Sequence, residues 1–228
     1  TYRVGFNLSD SQAKITKYDL NPDGNIGDHY VGEKIGEIWG FVTDGFYSTD
    51  EEAAGVDNSD IWGGKWLAGD VRYKNLNGDK TADGKDIISK GHSKLQDPGD
   101  RKIIGNNTAR YNYGISLSAE YKNFDFSCLM QGVGKRDLML GGAYFWGFTD
   151  EWRTPTTEQL DYWTPDNPNA YYPRQRFGGG GNFQSQTKYL QNGAYMRMKQ
   201  LTLGYSIPKA LLSKVRINSL RFYFTGQN

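Results

Sequence analysis

One short loop of the chain has the spacing of a calcium site. The segment from Asn75 to Asp86 reads NLNGDKTADGKD and carries oxygen-bearing side chains at loop positions 1, 3, 5, 9 and 12. Calcium takes roughly six to eight hard oxygen ligands from a tightly curled loop, so this spacing predicts a bound cation. The candidate ligands are Asn75, Asn77, Asp79, the backbone carbonyl of Thr81, Asp83 and Asp86.

Three positions of this loop depart from the EF-hand pattern. Asn75 stands at position 1 in place of Asp, Lys80 at position 6 in place of Gly, and Asp86 at position 12 in place of Glu. Each departure lowers the expected calcium affinity. An ordinary turn, in which Asn and Asp side chains bond to the backbone, is the alternative interpretation.

A second group of candidate residues lies between positions 132 and 192, where aromatic side chains are crowded. Exposed aromatic planes stack on sugar rings or anchor a protein partner, and an arginine beside them binds carboxylates or hydroxyls. The alternative is that the same rings pack this segment onto itself. The candidates for substrate or partner binding are Trp146, Trp152, Tyr162, Trp163, Tyr171 and Arg174.

Composition excludes several classes of protein. Charge is balanced, with 27 basic and 26 acidic residues, which argues against nucleic-acid binding. The single cysteine, Cys128, cannot form an intrachain disulfide and falls on the apolar side of a predicted strand. Neither His29 nor His92 belongs to a recognisable triad, and Gly178 to Gly181 lacks the Lys-Ser/Thr of a phosphate loop. We therefore expect a protein that is not an enzyme and has no organic cofactor.

The candidate residues lie on loops that must be positioned by strands, and the clearest strands run from Tyr111 to Gln131. Tyr113, Ile115 and Leu117 alternate with polar residues, and the alternation resumes with opposite parity after Lys122-Asn123. Two such runs joined by a tight turn predict an antiparallel hairpin. Each arm has about ten residues, the length at which a tilted strand crosses a bilayer.

Further segments alternate in the same way. They are Tyr2 to Leu8, a returning arm at Lys14 to Tyr18, Tyr195 to Ser206, and Leu220 to Thr225. Together with the hairpin they predict about six long strands. The parity break at Met196 and Met198 predicts a β-bulge. Smaller elements are expected as a strand at Ile38 to Phe46, a short helix from Glu51 to Ala54 and one helical turn within Pro208 to Ile217.

Short and long connections alternate along the chain. The short ones are 9–13, 122–123 and 207–218; the long ones are 20–109 and 132–192. Short turns on one side and long loops on the other are typical of a membrane barrel. We therefore predict an all-β, antiparallel transmembrane β-barrel with long extracellular loops, and we place Asp10, Lys122 and Lys209 on the periplasmic side. Because the smallest membrane barrels have about eight strands, six strands need further partners.

Several motifs, in their order along the chain, resemble the C-terminal half of the SusC/RagA family of TonB-dependent outer-membrane transporters. They are GDVRYKNLNGD at 69–79, DPGDRKIIGN at 97–106, the hairpin with YKNFD at 121–125, QGVG at 131–134, YWTPDNP at 162–168, YMRMKQLTLGY at 195–205 and TGQN at 225–228. The family often has Asp-Leu-Asn-Gly-Asp-Gly where this chain has Asn75 and Lys80 at the first and last positions.

The resemblance implies that residues 1–228 form part of a plugged barrel of about 22 strands, with the plug, the TonB box and the final strands outside this chain. It implies a SusD-like surface lipoprotein that closes over the barrel, energy from the TonB complex, and an oligosaccharide or peptide substrate. It also implies the outer membrane of a Gram-negative, Bacteroidota-type bacterium. The polar positions expected to line the barrel lumen are Arg3, Asn7, Ser116, Ser118, Glu120 and Arg221.

Two other functions remain open from the sequence. The chain could be a secreted, calcium-dependent, carbohydrate-binding β-sandwich, in which the Asn75–Asp86 loop and exposed tryptophans would form the site. It could also be a barrel that serves as a scaffold within an outer-membrane complex. Both ends of the chain fall directly in strand patterns, so we expect a piece of a larger protein.

Overall fold

The computed structural model describes residues 1–150, 152–213 and 216–228, and β-structure dominates it. The strands are β1 (Tyr2–Ser9), β2 (Glu37–Phe41), β3 (Thr43–Phe46), β4 (Val56–Asp57), β5 (Val71–Tyr73), β6 (Asp86–Ile87), β7 (Arg101–Asn106), β8 (Arg110–Tyr121), β9 (Phe124–Lys135), β10 (Asp137–Met139), β11 (Leu190–Asn192), β12 (Tyr195–Ser206) and β13 (Arg221–Gln227). The helices are α1 (Asp50–Ala54), α2 (Ala143–Trp146) and α3 (Lys209–Leu212), with 3₁₀ turns at Thr157–Leu160, Gly180–Phe183 and Thr187–Tyr189.

The chain divides into two compact units. The first unit consists of Thr1–Gln12, Thr108–Arg136 and Asn192–Asn228. The second unit consists of Ala13–Asn107 and Asp137–Gln191. The second unit therefore interrupts the first twice along the sequence.

The first unit is one sheet with the strand order β1-β8-β9-β12-β13, and every neighbouring pair is antiparallel. The predicted hairpin is confirmed as β8 and β9, joined at Lys122-Asn123. Lys122 adopts a left-handed φ of 55°, as tight hairpin turns require. The predicted bulge is also confirmed, because the register of β12 against β9 shifts between Met198 and Gln200.

The sheet has five long strands, so the prediction of a sixth at Lys14 to Tyr18 is wrong. Lys14 forms one isolated bridge with Lys34 within the second unit. Neither side of this segment is uniformly apolar, because Ile15 shares its parity with Lys17. A strand with lysines on both faces gains little from either an apolar core or a bilayer.

Asp10 was predicted to lie on the same side as Lys122, and this prediction is wrong. β1 pairs with β8 so that Ser9 faces Asn112, which places Asp10 at the end of the sheet opposite the Lys122 turn. There Asp10 forms a bidentate ion pair with Arg110. That ion pair holds the pKa of the Asp10 carboxyl at about 2. The long excursions at 10–109 and 136–194 thus leave the sheet at one end, and the Lys122 turn lies at the other.

The connection from β12 to β13 contains the predicted helical turn, as α3. Lys214 and Val215, which belong to the same predicted segment, lie outside the described residues. β9 continues to Lys135, four residues beyond the end of the predicted strand at Gln131.

The second unit was expected to consist of irregular loops, but it has its own core. The described residues of this part of the chain also form four two-stranded sheets: β10-β11, β2-β7, β3-β5 and the parallel pair β4-β6. The predicted helix is confirmed as α1, whose cap residue Thr49 accepts a hydrogen bond from the Glu52 N–H at 3.1 Å. The core side chains include Phe41, Phe46, Ile61, Val71, Tyr73, Ile88, Trp146, Trp163 and Tyr189.

Candidate functional site

One face of the sheet is apolar across all five strands. Because directly opposed residues of neighbouring strands point to the same side, the register fixes which side chains share a face. The apolar face is made of Tyr2, Val4, Phe6 and Leu8 on β1; Tyr113, Ile115, Leu117, Ala119 and Tyr121 on β8; Phe124, Phe126, Cys128 and Met130 on β9; Leu201, Leu203 and Tyr205 on β12; and Phe222 and Phe224 on β13. This is the parity predicted from the hairpin.

Large side chains on this apolar face are exposed. Tyr2 is 85% exposed and Phe224 is 66% exposed, and Val4, Phe6 and Tyr121 are similarly open. A water-soluble sandwich would cover such a face with a second sheet. Cys128 is buried on this face, between Leu117 and Leu201.

The opposite face of the sheet is mostly polar, although Leu129 and Tyr223 also lie on it. All six positions expected to line a lumen share it, because each is offset by one residue from the apolar set: Arg3, Asn7, Ser116, Ser118, Glu120 and Arg221. Arg221 donates to Asp125 through Nε at 2.9 Å and Nη2 at 2.5 Å, across Gly204. A side chain at Gly204 would collide with this pair. The two faces of the sheet therefore differ in polarity.

The second unit contains a cleft that brings together residues from both of its chain segments. The cleft has a volume of about 490 Å³. Its lining residues are Ser48, Thr49, Asp50, Glu51, Ala68, Tyr162, Trp163, Thr164, Pro165, Arg174 and Gln175. We call it the acidic–aromatic cleft. It unites three of the predicted binding residues, Tyr162, Trp163 and Arg174.

Close packing around Gly69 positions the cleft. Gly69 has a φ of +84°, and a Cβ there would lie 2.4 Å from Trp163 and 2.6 Å from the Cβ of Arg174. The Gly69 carbonyl accepts a hydrogen bond from the Arg174 N–H at 2.9 Å. The Ala68 N–H donates to the Asp50 carboxylate at 2.8 Å. Only glycine permits this approach, so Gly69 fixes Arg174 against Trp163.

The cleft offers both signs of charge beside aromatic surface. Arg174 is exposed and supplies a cation, while Asp50 and Glu51 supply carboxylates. Buried in the wall, the Gln175 side-chain oxygen has no hydrogen-bond partner. Such a set can bind a zwitterionic or hydroxyl-rich chain. Sequence spacing could not have joined Asp50 and Glu51 to Arg174, because more than a hundred residues separate them along the chain. Gln175 adjoins Arg174, but no sequence motif marks it.

The other predicted aromatic residues have different surroundings. Trp146 and Trp163 are each only 5% exposed, which contradicts the expectation that both present open planes. Trp146 packs against Phe183 and Tyr189 with centroid separations of 5.0 and 4.8 Å. Both side chains belong to the core of the second unit, and Trp163 also lines the acidic–aromatic cleft.

Trp152 and Tyr171 complete the predicted set. Trp152 is 90% exposed and is not part of the cleft lining. Tyr171 is partly buried, and its hydroxyl accepts a hydrogen bond from Gln191 at 3.1 Å. The Lys188 ammonium, not singled out from the sequence, lies 5.9 Å from the Tyr171 ring and 4.7 Å from that of Phe46. Burial lowers the pKa of Lys188.

The predicted cation loop is closed by its own hydrogen bonds. Asn75 accepts from the Gly78 N–H at 2.6 Å and donates to the Asp79 carbonyl at 2.8 Å. The Lys80 ammonium lies 3.1 Å from the Asp86 carboxylate and lowers its pKa. Thr81 Oγ1 accepts from the Lys85 N–H at 3.0 Å.

This loop as folded does not present a ready set of calcium ligands, because Lys80 supplies the positive charge at Asp86. Asn77 and Asp79 bond to each other at 3.0 Å, and no hydrogen bond or ion pair is formed by the Asp83 side chain within the described residues. In residues 1–150, 152–213 and 216–228, no three His, Cys, Asp or Glu side chains cluster as metal ligands. Cation binding stays a prediction. No helix in the described part of the chain is long and apolar enough to span a membrane.

Known proteins similar to this chain were found by sequence. TonB-dependent receptor P3 of Formosa agariphila is 27% identical over 249 aligned residues, which cover 100% of this chain and 22% of that protein. TonB-dependent receptor P26 of the same organism is 25% identical over 203 residues, 87% of this chain and 18% of that protein. The chain thus spans about a fifth of the length of these relatives. No protein-family model matches it.

Solved structures are similar in fold. The RagAB peptide transporter matches with a TM-score of 0.63 and 19% identity over 100% of this chain and 24% of the other. The RagAB peptide importer in its 'open-open' state matches with a TM-score of 0.57 and 18% identity, over 100% of this chain and 22% of the other. The resemblance to SusC/RagA-type TonB-dependent transporters predicted from the sequence is confirmed by these similarities.

Proposed function

Because the chain resembles SusC/RagA-type TonB-dependent transporters in both sequence and fold, we propose that it forms part of an outer-membrane importer of nutrient oligomers, glycans or peptides. The observation that carries this proposal is the exposed apolar face that runs without interruption across β1, β8, β9, β12 and β13. Removing such a face from water into lipid is favourable, and its polar reverse then borders an aqueous lumen.

The two edges of the sheet support a barrel assembled with further strands. β1 and β13 each have one sheet neighbour among the described residues. In a bilayer, an unpaired edge leaves backbone N–H and C=O groups unsatisfied, and each costs several kcal/mol. The proposed barrel therefore pairs β1 and β13 with strands from the rest of a longer transporter.

Import in this proposal is a conformational process that makes and breaks no bond in the substrate. A SusD-like surface lipoprotein closes over the barrel, and the TonB complex supplies the energy. Support comes from the names of the similar proteins, which are receptors and transporters. Within this chain, the polar face contributes lumen-lining groups such as Arg3, Glu120 and the Asp125–Arg221 pair.

The acidic–aromatic cleft is the surface that we assign to substrate or lipoprotein contact. It combines Arg174 with Asp50 and Glu51 beside Tyr162 and Trp163. The exposed Trp152 offers a second anchor of the kind enriched at protein interfaces. Both features belong to the second unit, whose two chain segments leave the sheet at the end opposite the short Lys122 turn. In the proposed barrel this end is extracellular.

The soluble sandwich alternative is disfavoured by the same apolar face. A calcium-dependent lectin would need an open cation loop, whereas Lys80 pairs with Asp86 in this one. A scaffold role for the barrel shares every structural feature with uptake. A measurement of substrate transport distinguishes the scaffold role from uptake.

The test uses the full-length transporter that contains this chain, expressed in a strain that lacks it. Outer-membrane fractionation checks the location, and uptake of labelled oligopeptides and labelled oligosaccharides checks transport. We expect membrane-bound protein and TonB-dependent uptake of one class. Arg174→Ala should reduce that uptake, whereas the matched Arg153→Ala, outside the cleft lining, should not. Protein in the soluble fraction contradicts the membrane assignment, and correctly inserted protein without any uptake favours the scaffold.

A further inference from the structure

A groove opens on the apolar face of the sheet beside the turn between β8 and β9. It has a volume of about 530 Å³ and is lined by residues of β8, β9, β12 and the edge strand β13. Its lining is almost wholly apolar and includes Ala119, Tyr121, Phe124, Leu203, Tyr205 and Phe222. Volumes of about 300 to 1,000 Å³ are typical of sites that hold one small molecule.

Cross-strand packing gives the groove a defined shape. Phe124 and Tyr205 are directly opposed on β9 and β12, and their ring centroids are 4.6 Å apart. Ala119 faces Phe126 across β9, and its small side chain leaves room between the larger neighbours. Ala119 is a small residue among bulky neighbours in the groove lining.

A positive charge lies at one end of this groove. The Lys122 ammonium is 5.3 Å from the centroid of the Tyr121 ring, which lines the groove, so the charge is held on the apolar side of the turn. Among the described residues no carboxylate pairs with this ammonium. Asp125 also touches the groove, but its carboxylate is bound by Arg221. The net charge offered to a ligand at this end is positive.

An apolar groove that ends at a cation matches an amphipathic anion. We propose that this groove binds one acyl chain of an anionic glycerophospholipid, whose phosphate lies against Lys122. This inference rests on the proposed membrane location, in which the short turn reaches the periplasmic interface. Lysines at such an interface attract anionic headgroups, and flanking aromatic rings lie at headgroup level. Soluble phosphate lacks the tail, and a neutral lipid lacks the charge.

The experiment measures lipid retention by the full-length transporter in nanodiscs of phosphatidylcholine containing a minor fraction of phosphatidylglycerol. Native mass spectrometry after gentle delipidation counts the phosphatidylglycerol molecules that stay bound. We expect one tightly held molecule, and Lys122→Gln should weaken its retention about fivefold, the usual effect of one lysine at a lipid surface. Lys122→Arg should restore retention.

Two matched controls separate a defined site from general lipid contact. Lys135→Gln removes an exposed lysine at the opposite end of β9 and should leave retention unchanged. Ala119→Phe fills the groove with apolar volume and should abolish retention, whereas Val4→Phe, on the same face but outside the groove lining, should not. Soluble glycerol phosphate should not displace the lipid.

The outcomes are distinguishable from failure of the proposed function. Equal retention in Lys122→Gln and Lys135→Gln, or in Ala119→Phe and Val4→Phe, overturns the lipid site while the protein remains an outer-membrane barrel. Displacement of the bound phosphatidylglycerol by glycerol phosphate also overturns the lipid site, because the apolar groove would then contribute nothing to binding. Absence of the transporter from the outer membrane overturns the proposed function itself.

Discussion

Asp70 and Arg176 form an ion pair inside the second unit, although 106 residues separate them along the chain. Asp70 is only 1% exposed. Its carboxylate also accepts hydrogen bonds from the Leu67 N–H at 2.8 Å and from the Asn182 amide at 2.9 Å. The Arg176 guanidinium in turn donates to the Lys65 carbonyl at 2.8 Å. The pair therefore ties together the two segments that interrupt the sheet.

Removing one partner of this pair should destabilise the second unit. Asp70→Ala leaves the guanidinium of Arg176 largely buried without its counter-charge, which typically costs about 3 to 5 kcal/mol. Hydrogen-exchange mass spectrometry should show faster exchange over β3 and β5. The matched control is Asp150→Ala, which breaks the exposed pair with Arg153 at 3.3 Å and should cost less than about 1 kcal/mol. Equal protection in the two variants would contradict a structural role for the buried pair.

The parity of the sheet can be tested by adding charge to each face. Leu117→Arg places a cation on the apolar face, and at the midplane of a bilayer it should cost about 2 to 4 kcal/mol. Ser127→Arg adds the same side chain to the polar face, one position from Cys128, which is the cross-strand neighbour of Leu117. Heat-modifiable migration of the outer-membrane fraction measures assembly. We expect reduced assembly for Leu117→Arg and unchanged assembly for Ser127→Arg. If Ser127→Arg assembled less well than Leu117→Arg, the assignment of the two faces would be wrong.

The cation loop should gain calcium affinity when its lysine is removed. Lys80→Gly frees the Asp86 carboxylate and restores a glycine at the tight turn, so we expect calcium to bind at least about tenfold more tightly than in the original loop. Isothermal titration measures the difference. The double variant Lys80→Gly with Asp86→Asn should lose the gain, because it removes a charged ligand. If Lys80→Gly binds no more calcium than the original loop, the segment is only an Asx-rich turn.

Alkaline pH should destabilise the second unit through Tyr47. Burial raises the pKa of the Tyr47 phenol to about 12, whereas an unfolded tyrosine ionises near about 10. Below a pH of about 10 the Tyr47 phenol is protonated in both the folded and the unfolded protein, so its full contribution to stability is present. Between about pH 10 and 12 only the unfolded state loses its proton, so stability falls as pH rises, by roughly 2 to 3 kcal/mol at the upper limit.

Thermal-unfolding scans monitored by tryptophan fluorescence check this expectation, since Trp66 lies 6.4 Å from the Tyr47 ring. Tyr47→Phe cannot ionise and should lose less stability between about pH 9 and 12 than the original protein. Its stability at neutral pH should be lower, because Asn58 loses the hydroxyl that it contacts at 3.1 Å. Parallel curves for the two proteins would mean that other groups dominate the alkaline transition.

Local sequence patterns determined the sheet to a large extent. Alternation of apolar and polar residues predicted the hairpin at Lys122-Asn123, the apolar face containing Leu117 and the bulge near Met198, and the structure has all three. These features depend on a period of two residues, which is written directly in the sequence. The order of the motifs also predicted the resemblance to SusC/RagA-type transporters, which the similar proteins confirm.

Only the tertiary structure decided features that depend on distant partners. The alternating pattern of β1 does not predict which strand it pairs with. Its pairing with β8 places Asp10 at the end of the sheet opposite Lys122. Trp146 and Trp163 became core residues because two segments far apart in sequence close over them, and the same closure created the cleft and the Asp70–Arg176 pair. A polar, glycine-rich segment shows no period from which such packing can be predicted. The sequence by itself thus determined which residues form the apolar face of the sheet, and long-range packing determined which residues line the cleft.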